Sequence, residues 1–138
     1  MRDHWRHRVL TLQGLYYVAT GLWPLVHLRS FEAVTGPKTD DWLVRMVGLL
    51  AVVIGAVLGV GATRHHTRAP EVVLLATGAA LAFGVIDLWY GLSGRISPIY
   101  LGDAGLEVAL LAALGWTRAS PGPTRLMRRS RPLDQHPK

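Results

Sequence analysis

The chain has 138 residues, half of them apolar and only 17% charged, with a formal net charge of +6. Soluble domains carry about 25% charged residues, so this fraction is low for one. A soluble helical bundle is further disfavoured because stretches such as "VGLLAVVIGAVLGVGA" and "VVLLATGAALAFGVI" have no polar outer face. With no cysteine, disulfides, thiolate metal sites and thiol catalysis are excluded.

The first apolar run covers about 9–28 and follows the basic start "MRDHWRHR". No small-x-small cleavage site follows it, so it reads as a retained first helix and not as a signal peptide. At 100° per residue, Gln13, Tyr16, Tyr17, Thr20, Pro24 and His27 fall on one stripe. The connection "RSFEAVTGPKTDDW" comes next. Gly36-Pro37 suggests a turn, and Thr39, Asp40 and Asp41 suit a helix cap before Trp42. "TGPKT" lacks the glycine spacing of a phosphate loop.

The second run, about 42–62, places Arg45 on a face with Gly48, Val52, Gly55 and Gly59. Ala51, Gly55 and Gly59 repeat the small-xxx-small spacing of close helix contacts. Arg45 is therefore expected to point into a bundle. The loop "RHHTRAP" holds His65 and His66. Adjacent residues point in different directions, so no metal site is expected there. The third run, about 72–92, aligns Ala76, Ala80, Phe83, Asp87 and Tyr90. The fourth, about 97–116, aligns Tyr100, Asp103, Ala104, Glu107 and Leu111. Gly105, Ala109 and Ala113 form a small-residue ridge beside that stripe. The remainder, 117–138, is basic and rich in Pro and Ser. It reads as a disordered cytoplasmic tail lying along anionic headgroups.

Each run is about 20 residues long, enough to cross roughly 30 Å of hydrocarbon as a helix. The fold class expected is all-α, a transmembrane four-helix bundle over 1–116. Eleven Lys and Arg residues lie in the first segment, the loop after the second run and the tail. Three, Arg29, Lys38 and Arg95, lie in the other two loops. That asymmetry puts both termini in the cytoplasm and makes the net charge a topology signal rather than a nucleic-acid footprint.

With this topology Arg45, Asp87, Tyr100 and Asp103 share a depth near the outer ends of their helices, with His27 near the same side. Glu107 goes deepest. A charge at bilayer depth costs roughly 2.5–3.5 kcal/mol, so such groups pair or line a cavity. An outward-facing polar cavity is the expected site. Glu107, Asp103, Asp87, Arg45, Tyr100 and His27 are its candidate ligand- or proton-binding residues. Arg45 is the expected partner of Asp87 or Asp103. All three acids ionised against one arginine would leave a net −2 in low dielectric. At least one acid, with Glu107 the candidate, is therefore expected to be neutral. A haem between helices needs two intramembrane histidines and only His27 qualifies, so no cofactor is expected.

The run "LYYVATGLWPLVHLRSFEAVTGPKTDDWLVRMVGLLAVVIG", with the later "ISPIYLGDAGLEVALL", resembles small bacterial four-helix integral membrane proteins of DoxX-like architecture. The resemblance covers the four spans and not the tail. It implies a multi-pass protein of the inner membrane and carries over no functional residue. Three functions remain open. The chain binds or transports a small cationic or amphipathic ligand, or protons. Four helices make a small pathway, so a transporter is expected to be a homo-oligomer. Alternatively the chain is a structural or accessory subunit whose polar stripes are internal glue and whose glycine face binds a larger membrane complex. Least favoured is a membrane enzyme acting on a lipid-like substrate, because no catalytic constellation stands out.

Overall fold

The computed structural model describes residues 2–63 and 66–118. His65 and the tail beyond 118, with its expected headgroup contact, lie outside them. Five helices and no strand occur among the described residues: α1 Arg2–Val26, α2 Leu28–Thr35, α3 Asp41–Thr63, α4 Pro70–Leu92 and α5 Ile99–Arg118. Four of them, α1, α3, α4 and α5, are long and apolar enough to cross a membrane. Their outer faces carry Leu12, Leu15, Val53, Leu74, Leu81, Val85 and Val108, all exposed. A contiguous apolar surface of this kind suits hydrocarbon and not water.

Two boundaries differ from the sequence expectation. The first helix starts near residue 2, so its basic start is helical and not a tail. It ends at Val26, just after Pro24. Pro24 lacks an N–H for the ladder and favours an early stop. His27 then leaves helical geometry and caps a new short helix, its Nδ1 accepting from the Ser30 N–H at 3.1 Å. Trp23 Nε1 donates to Ser30 Oγ at 2.8 Å, and its ring meets Phe31 edge-on. These contacts fold α2 back over the end of the bundle. Gly36, at φ +88°, closes α2 in a backbone region that other residues rarely adopt.

The helices pack as two antiparallel pairs, α1 with α3 and α4 with α5, and α1 also meets α5. The α1–α3 seam is glycine on glycine. A Cβ on Gly21 would lie 2.5 Å from the Gly48 carbonyl oxygen, and one on Gly55 would lie 2.5 Å from that of Gly14. This is the close approach that the small-xxx-small pattern suggested for α3. Its complement on α1 is Gly14 and Gly21. The Gly105 and Ala109 ridge on α5 faces outward instead, with nothing within 4 Å of a Cβ on Gly105.

Leu10, Leu58, Ala62, Val72, Ala76 and Leu114 fill the half of the bundle remote from α2. The half beneath α2 stays open, and the polar residues gather there.

Candidate functional site

A cavity of about 510 Å³ lies beneath α2. The C-terminal half of α1 gives it Tyr16, Tyr17 and Thr20, while α3 gives it Leu43, Val44, Val47 and Ala51. Asp87 reaches it from α4, and Tyr100, Asp103 and Glu107 reach it from α5. Phe31 of α2 and Lys38 of the following loop also line it. The helical registers explain this convergence. Asp103 and Glu107 are one turn apart on α5, and Glu107 is set about 6 Å farther along the axis. Gly84 on α4 leaves room for Glu107, whose Cβ lies 3.2 Å from where a Gly84 Cβ would be.

The acids find their partners on α1. Tyr17 Oη donates to Glu107 Oε2 at 2.9 Å. Gln13 Nε2 donates to Tyr17 Oη at 3.2 Å and to the Ala76 carbonyl of α4 at 2.8 Å. The hydroxyl of Tyr17 thus accepts from Gln13 and spends its one hydrogen on Glu107. Tyr16 Oη donates to Asp103 Oδ1. Asp87, 7% exposed, lines the same cavity as Asp103. Glu107 is 1% exposed. Each carboxyl is therefore an expensive burial, and two are offset by a phenol.

Arg45 does not join them. It is exposed on α3, lines no part of the cavity and has no ion-pair partner among the described residues. The expected pairing with Asp87 or Asp103 is absent, and Asp103 takes the Tyr16 hydrogen bond instead. The reason is angular. The buried stripe of α3 runs through Gly48, Ala51, Gly55, Leu58 and Ala62. Arg45 falls about 100° from its centre at 100° per residue, on the first turn, where a long side chain reaches the interface. Arg45→Ala is accordingly expected to change stability by less than about 0.5 kcal/mol, the scatter of surface substitutions. Thermal unfolding in detergent checks this. His27 is also outside the cavity, exposed and engaged as the cap of α2. Tyr90, aligned with Asp87 in the sequence, is exposed as well.

No known family, curated protein or solved structure matches the chain.

Its chemistry is therefore read from the site alone. Lys38 is the cation that lines the cavity. Its Nζ donates to the Thr35 carbonyl at 3.0 Å and sits 5.1 Å over the Tyr100 ring. Sequence reading passed over Lys38 because it lay in a turn. It also passed over Tyr16, Tyr17 and Gln13 as binding groups, although they shared a stripe. Among the described residues no three acid or histidine side chains are grouped closely enough to chelate a metal ion. What the arrangement offers is a mostly apolar chamber, three carboxyl groups on one side and aromatic faces from Tyr16, Phe31, Phe83 and Tyr100.

Proposed function

We propose that the chain is a multi-pass membrane protein that binds a small amphipathic cation in this cavity, as a binding or transport protein. The observation that carries the reading is the charge balance of the lining. Three carboxyls face one lysine, which is itself held at a carbonyl and an aromatic ring. A bound cation restores the balance, and aromatic faces attract it further through the ring quadrupole. The apolar walls of α3 suit the ligand's hydrocarbon part, as in most small-molecule sites.

The Lys and Arg asymmetry of the sequence supports cytoplasmic termini and a cavity opening outward. The resemblance to DoxX-like proteins supports a bacterial inner membrane. An accessory subunit or a lipid-modifying enzyme is less well supported. Buried acids used only as glue do not call for an open chamber, and no group beside the acids is arranged as a nucleophile.

Three probes of similar size test the reading by equilibrium binding in mild detergent: benzyltrimethylammonium, benzyl alcohol and benzoate. The cation is expected to bind on the order of ten-fold more tightly than the neutral probe, a difference of about 1.4 kcal/mol. Lys38→Gln is expected to tighten the cation further, on the order of ten-fold, the scale of one charge acting across roughly 10 Å near a protein surface. Equal binding of all three probes, or a preference for benzoate, would contradict the assignment.

A further inference from the structure

The line between α3 and α4 is closed at one end of the bundle and open at the other. In the half remote from α2 the two helices touch. A Cβ on Gly61 would lie 3.0 Å from Val72 Cγ2, and Leu58, Ala62 and Ala76 are buried there. Toward α2 each helix leans on its own partner instead. Gly48 of α3 abuts Gly21 of α1, and Gly91 of α4 abuts Leu101 of α5. Between these two seams Val47 of α3 and Ala82 and Ile86 of α4 line the cavity. All three are nevertheless exposed, Val47 at 44% and Ile86 at 54%. Residues that line a chamber and also face outward mark a break in its wall. This window is apolar and belongs to the surface suited to hydrocarbon. Ile86 adjoins Asp87, so the window opens at the level of the acids.

The end of the chamber beneath α2 is different. Phe31 and Lys38 line it, with the Lys38 Nζ over the Tyr100 ring. A cation arriving from that end meets an ammonium first, and like charges repel. One arriving between α3 and α4 passes only apolar side chains. The lining therefore favours the lateral path for a ligand whose head is positive.

We propose that the ligand is a single-chain amphiphile with a cationic head, which enters from the bilayer between α3 and α4 and leaves its tail in the hydrocarbon. The inference rests on the cation-binding reading above and adds the class of ligand and its path. The head reaches the carboxyls of Asp87, Asp103 and Glu107 inside the chamber. The tail passes out between Val47 and the Ala82–Ile86 turn. Its far end lies in hydrocarbon before and after binding, so it gains no further burial from the protein. Tail length therefore neither helps nor hinders once affinity is referred to the bilayer. A sealed chamber of about 510 Å³ would instead reject tails longer than it holds.

The test places the full chain in phosphatidylcholine nanodiscs. Octyl-, dodecyl- and hexadecyltrimethylammonium compete there with benzyltrimethylammonium, and each affinity is referred to the amphiphile's mole fraction in the lipid. The three are expected to agree within about three-fold, although transfer from water alone favours each added methylene by about four-fold. Ala82→Phe narrows the window. It is expected to weaken the hexadecyl relative to the benzyl compound on the order of ten-fold, the scale of an overpacked fit. Val47→Phe narrows it from the other side and serves if Ala82→Phe does not fold. Leu81→Phe, exposed and outside the cavity lining, is expected to leave that ratio unchanged. Affinity that falls steadily with tail length, while benzyltrimethylammonium still binds, means a sealed chamber. That result overturns the lateral path and leaves the cation site standing. Equal effects of the window variant and Leu81→Phe overturn the placement of the tail between α3 and α4. Absence of saturable benzyltrimethylammonium binding overturns the cation site and the inference with it.

Discussion

Gly55→Ala is expected to lower the stability of the chain by about 1–3 kcal/mol, the usual cost of forcing a methyl into a packed seam. The new Cβ would stand 2.5 Å from the Gly14 carbonyl oxygen and 2.9 Å from both the Val18 backbone N and its Cγ2. A backbone carbonyl cannot rotate aside as a side-chain end can, so α1 and α3 must separate. Gly21→Ala is expected to act alike, against the Gly48 carbonyl. Opposing this, alanine favours helix over glycine by about 1 kcal/mol. The clash wins because it disturbs contacts along the whole α1–α3 seam. The control is Gly78→Ala or Gly102→Ala, where nothing lies within 4 Å of the added carbon. There the propensity gain is unopposed, and stability is expected to hold or rise. Thermal unfolding of the four variants in one detergent reads the contrast. The seam also carries function. Tyr16 and Tyr17 sit on α1 between Gly14 and Gly21, so displacing α1 withdraws the donors of both α5 acids.

Tyr17→Phe is the second large effect. The hydroxyl links Gln13 of α1 to Glu107 of α5, and its loss breaks both hydrogen bonds while keeping the ring against Phe83. Interhelical hydrogen bonds in membranes average about 0.6 kcal/mol each. Stranding a buried acceptor adds about 1–3 kcal/mol. Glu107 is the group stranded, at 1% exposure, and Gln13 already has one fully buried oxygen without a partner. A total of about 2–4 kcal/mol is therefore expected. The double variant Tyr17→Phe with Glu107→Leu is expected to recover much of it, because both partners are then apolar. Failure of the second substitution to restore any stability would mean that the Tyr17–Glu107 bond is not the source of the loss.

The spans were legible because their signal is long and repeated. About twenty apolar residues admit few other readings. The α2 helix was not legible. Its eight residues, "LRSFEAVT", are shorter than the window over which helical periodicity declares itself. Its start depends on a histidine cap and on Trp23 reaching Ser30, contacts made only after the chain has turned.

The site was legible in part for the same kind of reason. Asp87, Asp103, Glu107 and Tyr100 lie on the faces that the helical period assigned, and they line one chamber. The period gives direction within a helix but not which helices become neighbours. Charge complementarity suggested Arg45 as the partner of the acids. The glycine seam instead turns α1 so that two phenols meet α5, and it leaves Arg45 outside. Gln13, Tyr16 and Tyr17 were aligned in the sequence, and their alignment with acids elsewhere was the missing signal. Lys38 was hidden in a turn. Its place depends on Gly36 redirecting the chain and on Tyr100 arriving from α5.

The most direct test of the account is native mass spectrometry of the full chain purified in a mild detergent, with and without the paired substitutions Asp87→Asn and Asp103→Asn. The account expects the native chain to carry a small cationic amphiphile. It expects the doubly substituted chain to stay folded and lose that adduct. A native chain with no small adduct that instead retains a larger membrane protein, equally in both forms, would contradict a ligand-binding cavity and make the acids structural.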